Sequence, residues 1–111
     1  MGSTINREND WINRFTIYIK SEKRLSVHTC KNYMRDLEIF FTFCEEKNLK
    51  SWSDIDAEDI RAFSASQFRK GLNPKSIQRS ISSIRALFRY LVREKVLYSN
   101  PAQGIPPPKS E

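Results

Sequence analysis

The chain has 111 residues, 39% apolar and 29% charged, and its 19 Lys and Arg against 13 Asp and Glu give a formal net charge of +6. That length holds one hydrophobic core, and the composition excludes wholesale disorder and a collagen-like repeat. No apolar run approaches the roughly 18 residues of a spanning helix and no signal peptide opens the chain, so a cytoplasmic protein with no membrane partner is expected.

Cysteine and histidine usage narrows the chemistry further. Cys30, Cys44 and His28 are the whole set, short of the about four ligands that a Cys/His zinc site needs. No metal and no cofactor are expected. Fourteen residues of one helix would set the two cysteines about 21 Å apart along its axis, beyond disulfide reach, so both read as core residues. A nucleophile motif such as G-x-S-x-G is missing, and with three glycines in total the chain is not expected to be a catalyst by itself.

Met1-Gly2-Ser3 resembles the remnant of a tag, and residues 1–7 read as a disordered start. After that, helical periodicity recurs four times and strand signals are weak, which gives an all-α fold, a compact bundle of four helices. The first, α1, spans about 8–23, with Trp11, Ile12, Phe15, Tyr18 and Ile19 on one stripe. The second, α2, spans about 26–47 with Ser26 as N-cap. Its core arc is Cys30, Tyr33, Met34, Leu37, Phe40, Phe41 and Cys44, and Ile39 with Phe43 on the other side implies a second packing surface. Asn48-Leu49 closes it and Trp52 anchors a short loop. Asp56 and Asp59 then sit in a capping-box relation at the start of α3, about 57–70, which packs through Ile60, Phe63 and Phe68 and stops at Gly71. Asn73-Pro74 starts α4, about 74–95. Four prolines, Pro101 and Pro106 to Pro108, read as an extended linker over 100–111 that leaves a domain of 8–99.

The excess charge is concentrated in α4: residues 72–95 hold six Lys and Arg against one Glu. Ile77, Ile81, Ile84, Leu87, Phe88, Leu91 and Val92 fill an arc of about 140° on its helical wheel, and the rest is basic or small, including Lys75, Gln78, Arg79, Ser82, Arg85, Ala86, Arg89 and Arg93. Cationic side chains flanking Ser82, Ser83 and Ala86 suit close approach to a phosphate-lined groove. A solvated surface or an acidic protein partner would use the same face. A second polar face at the start of α2, with His28, Lys31, Asn32 and Arg35, favours nucleic acid, because Asn and Arg are groove-reading types.

Two segments resemble a known family. LSVHTCKNYMRDLEIFFTFCEEKNL at 25–49 and KGLNPKSIQRSISSIRALFRYLVREKVLYSNPAQGIPPPK at 70–109 resemble the core-binding domain of tyrosine recombinases, the phage integrase family. The first has a Ser-x-x-Thr start, then Asn-Tyr, Asp-Leu and a Phe-rich end; the second has a long helix and an Asn-Pro-Ala exit.

This resemblance implies a SAM-like helical domain whose α2 and α4 cross the major groove of double-stranded DNA and which aligns a recombination half-site for a separate catalytic domain. Carried onto this chain, the DNA-binding positions are Thr29, Lys31, Asn32 and Arg35, with neighbouring His28, on α2, and Lys75, Ser76, Arg79, Ser82 and Arg85 on α4. Lys and Arg would neutralise phosphates, Ser and Thr would hydrogen-bond them, and Asn32 or Arg79 would read a base edge. Thr29 and Ser76 are equally suited to helix caps, and Arg85 to lying along the core. The family's tyrosine nucleophile and its arginines, lysine and histidines belong to the second domain, so this piece is expected to be a monomer alone and to meet other protomers only on DNA. The competing expectation is a protein-interaction module that docks a helix on Ile39 and Phe43.

Overall fold

A computed structural model of the chain describes residues 9–105. The expected disordered start at 1–7 and the prolines at 106–108 lie outside these residues. Four α-helices form, α1 Asn9–Ser21, α2 Val27–Glu46, α3 Ala57–Arg69 and α4 Pro74–Arg93, with a 3-10 turn at Trp52–Asp54. There is no strand among the described residues, so the fold is the expected all-α bundle.

Local chemistry sets the starts. The Ser26 hydroxyl accepts from the Thr29 amide at 3.1 Å, which satisfies one of the amides that a helix start leaves unbonded. Asp56 and Asp59 make the reciprocal capping box, each carboxylate accepting from the other's amide at 2.9 and 3.0 Å. Asn73 Oδ1 accepts from the Lys75 amide at 2.7 Å, and Pro74 follows where its missing N–H costs nothing. The ends share one device. Asn48, Gly71 and Lys95 take positive φ of 59°, 87° and 66°, and the next residue in each case reaches back: Leu49 to Cys44 O, Leu72 to Gln67 O, Val96 to Leu91 O. This is the Schellman stop, recognisable beforehand at Gly71 and Asn48, whose residue types favour positive φ, but not at Lys95.

The long helices α2 and α4 cross as the central pair, α1 packs on both, and α3 packs on α4. Phe40 sits between Phe63 and Phe88 with ring centroids 5.2 and 6.4 Å away, and Trp52 closes the bottom edge-on to Phe41 and Phe88. Each such fully buried side chain contributes about 1.5–3 kcal/mol relative to an exposed one. At the α1 side, Tyr90 packs on Phe15, Tyr18 and Trp11.

Several sequence expectations change here. Phe43 is not on a second packing surface: it is buried, 5.4 Å from Phe63, and belongs to the same core. Phe68 does not pack α3 but is 60% exposed, because the buried side of α3 turns through Ile60, Phe63 and Gln67. Residues 100–105 are not an extended linker: Ala102 and Ile105 are buried, so the folded unit runs past residue 99.

Candidate nucleic-acid interface

The geometry of α4 follows from its wheel. Its buried side is wider than the apolar residues alone require, because Ser80, Ser83 and Tyr90 are also covered. What remains exposed is Lys75, Arg79, Ser82, Arg89 and Arg93, four cations and one serine with no carboxylate. Steps of four, three, seven and four residues keep them on one stripe of a 3.6-residue helix. Arg93 is the most occupied of them, stacked over the Tyr18 ring at 4.8 Å and paired with Glu22 at 3.3 Å and Glu94 at 3.4 Å.

Arg79 lies where α4 crosses α2. Its Nε donates to Asp36 Oδ2 at 3.1 Å and its Nη2 to Asp36 Oδ1 at 3.2 Å. The Ser83 hydroxyl donates to the same Oδ2 at 3.0 Å. Asp36 is 1% exposed while the Arg79 side chain is 48% exposed, so a buried carboxylate holds the root of a solvent-facing guanidinium. Its hydrogen bonds with Asp36, and then its attraction to that charge, raise the Arg79 pKa above the ordinary arginine value. Ser83, expected to flank the approaching backbone, is instead a buried partner of Asp36.

Charge on α2 divides along its length. In the first half His28, Lys31 and Arg35 are exposed, with Thr29 and Asn32 half-buried; in the second half the exposed residues include Glu38, Glu45 and Glu46. Thr29 is tied to the cap, its Oγ1 accepting from the Ser26 hydroxyl at 2.9 Å. Arg35 donates through Nη2 to Asn32 Oδ1 one turn back, so these two present a joined polar edge. Asp36, one turn beyond Asn32 on α2, is tied to Arg79 of α4, while Lys31 and Arg35 line a groove with Thr16 and Lys20 of α1.

Residues 12–95 match the phage integrase N-terminal SAM-like domain. The chain belongs to that family. Among curated proteins it is 35% identical over 100 residues to the tyrosine recombinase XerC of Pseudomonas syringae pv. syringae, covering 90% of this chain and 33% of that protein. It is 38% identical over 99 residues to the tyrosine recombinase XerC of Salmonella typhi, covering 89% of this chain and 33% of that protein. The chain thus spans about a third of the length of these relatives. No solved structure matches it.

Within this SAM-like domain the remaining candidates separate. Lys75 and Ser82 are exposed on the α4 stripe, and Ser76 is half-buried on its flank. Arg85 points away from the stripe's centre: Nε donates to the Ala102 carbonyl at 3.1 Å and Nη2 to that of Ile105 at 3.0 Å. Sequence reasoning missed two things. Arg89, placed on the basic side of α4 but not among the DNA-binding positions, stands exposed on the stripe, and beside it Lys23, Tyr18, Tyr33 and Tyr90 line a cleft of about 260 Å³; a wheel of α4 alone cannot show what α1 brings next to it. Asp36, the carboxylate that holds Arg79, sits 43 residues away in sequence, and no local pattern joins the two. Among the described residues no His, Cys, Asp and Glu group is placed to hold a metal ion, and no helix is long and apolar enough to cross a membrane.

Proposed function

We propose that this chain is the DNA-binding arm of a site-specific tyrosine recombinase, gripping duplex DNA through the first half of α2 and the exposed stripe of α4. One observation carries the reading: every exposed residue of α4 is a cation or a serine, on a helix whose opposite side is buried in the core. A solvated helix face ordinarily mixes both signs; α3 of this chain does, exposing Glu58 with Arg61 and Arg69. Lys75, Arg79, Arg89, Lys31 and Arg35 neutralise phosphates, Ser82 hydrogen-bonds them, and Asn32 and Arg79 lie where base edges are read. Thr29 and Ser76 contribute from the edges, while His28 extends the α2 side.

The parent protein cuts and rejoins DNA strands by a tyrosine nucleophile carried on a separate catalytic domain, and this arm presents a half-site to it, in the cytoplasm and alongside other protomers. Tyr90 is buried among rings, and its burial, with Glu94 nearby, raises its phenol pKa. Ile105, the last described residue, is still buried, with its carbonyl held by Arg85 of α4, so the linker to the catalytic domain starts no earlier than that. The test is an amide-resolved NMR titration of the chain with a short duplex at low and moderate salt. Shifts clustered at 28–35 and 75–93 that fade with salt are expected; shifts confined to Ile39 and its neighbours would overturn the reading.

A further inference from the structure

We infer that Asp36 is a positioning residue for DNA recognition, acting through Arg79; this rests on the DNA-binding reading above. A guanidinium has five N–H donors in a rigid plane. Asp36 takes the side-on pair, Nε and one hydrogen of Nη2, at 3.1 and 3.2 Å. Left over is the end-on edge, both hydrogens of Nη1 and the second of Nη2, which is the fork that suits a phosphate or the O6/N7 edge of guanine. An unsupported arginine on a helix surface samples many rotamers and loses that freedom on binding. Here the loss is taken in folding, because the carboxylate is buried and itself fixed by the Ser83 hydroxyl at 3.0 Å.

The geometry also joins the two DNA-facing helices. Asp36 is on α2, one turn beyond Asn32 and next to Arg35, while Arg79 and Ser83 are one turn apart on α4. The same three side chains therefore set the relation between the α2 and α4 faces and the direction of the arginine that stands between them.

Orientation and net charge predict opposite signs, which makes the inference testable. Asp36→Asn keeps the side-chain shape and makes the protein one unit more positive, so electrostatics alone would tighten binding to any duplex. The experiment measures fluorescence anisotropy of a short labelled duplex of mixed sequence over a salt series, with wild type, Asp36→Asn, Arg79→Ala and the double variant, each checked for helix content by circular dichroism. Expected is binding weaker by about fivefold or more for Asp36→Asn, and a double variant no weaker than Arg79→Ala alone. Tighter or unchanged binding by Asp36→Asn while Arg79→Ala binds weakly would overturn the inference and leave the DNA reading standing. So would an Asp36→Asn loss that adds to that of Arg79→Ala. Wild-type protein without salt-dependent binding would overturn the DNA reading itself. Should Asp36→Asn lose its helix content, Ser83→Ala, which leaves net charge alone, decides: weaker binding supports the positioning role and unchanged binding overturns it.

Discussion

The side-chain amide of Asn100 donates to the main-chain oxygen of Arg85 at 3.1 Å, while the Arg85 guanidinium reaches past it to the carbonyls of Ala102 and Ile105. Asn100 Oδ1 in turn accepts from the Ala102 amide at 2.9 Å. The Asn-Pro-Ala exit is therefore a latch: the asparagine turns the chain, alanine fits the closed space against α4, and arginine holds the carbonyls that the turn leaves facing the helix.

This latch yields the first prediction. Arg85→Ala removes two charge-assisted bonds and is expected to cost about 1.5–3 kcal/mol in urea unfolding, with faster hydrogen exchange at 102–105. It should leave the salt slope of DNA binding almost unchanged, whereas Arg89→Ala should lower that slope by about one. Equal slopes for the two variants would return Arg85 to the DNA-contacting set.

Phe43 and Ile39 give the second. They are one helical turn apart on α2, yet Phe43 is 8% exposed against Phe63 and Ile39 is 40% exposed. Phe43→Ala is expected to cost about 3–5 kcal/mol by emptying a core position. Ile39→Asp should stay within about 0.5 kcal/mol and leave the protein's sedimentation unchanged with concentration. Self-association lost only in Ile39→Asp would indicate a protein-docking face there.

How far the sequence carried these conclusions depends on the range of the physics. Caps were legible because they are local: Ser26, Asp56 with Asp59, and Asn73-Pro74 act within three residues. The basic side of α4 was legible because one helix's periodicity separates Ile77, Ile81 and Ile84 from Lys75, Arg79 and Ser82. Phe43 and Phe68 were misplaced because a wheel gives angles but not which neighbour occupies each angle. Phe43 meets α3, and Phe68 meets nothing that covers it. Asp36 was invisible as a site residue since its partners are 43 and 47 residues on. The latch was hidden because proline implies extension only where no side chain reaches across to hold the next carbonyls.

The third prediction concerns Cys44, a fully buried free thiol. Burial first, then the nearby charges of Asp59 and Glu45, push its pKa from 9.0 up to about 12. Below pH 9 the thiol is protonated folded and unfolded alike, and the full stability is present. As pH rises from 9 toward 12 only the unfolded chain ionises, so stability falls by about 1.4 kcal/mol per pH unit, up to about 4 kcal/mol. Urea unfolding of wild type and Cys44→Ala across that range isolates the effect from other titrating groups. The wild type should lose more stability than the variant with each rise in pH, and parallel curves would show that the thiol ionises in place.

The last prediction uses the division of charge along α2. Lys31 and Arg35 stand exposed in its first half, Glu45 and Glu46 in its second, about 15 Å beyond Arg35 and about 21 Å beyond Lys31 along the axis at 1.5 Å per residue. Both distances exceed the screening length of about 8 Å at physiological ionic strength. Removing carboxylates at the far end should therefore act only through net charge, tightening binding slightly at low salt and not at physiological salt. Lys31→Ala and Arg35→Ala should instead each lower the salt slope by about one, as loss of a direct phosphate contact does. Arg35→Ala carries a further signature: it also frees Asn32, whose Oδ1 accepts from the guanidinium. Sequence discrimination among duplexes should then relax more than for Lys31→Ala, measured as the ratio of affinities for a preferred and a shuffled site selected from a random pool. A slope that falls equally when Glu45 and Glu46 are neutralised would mean that the far half of α2 lies against DNA as well.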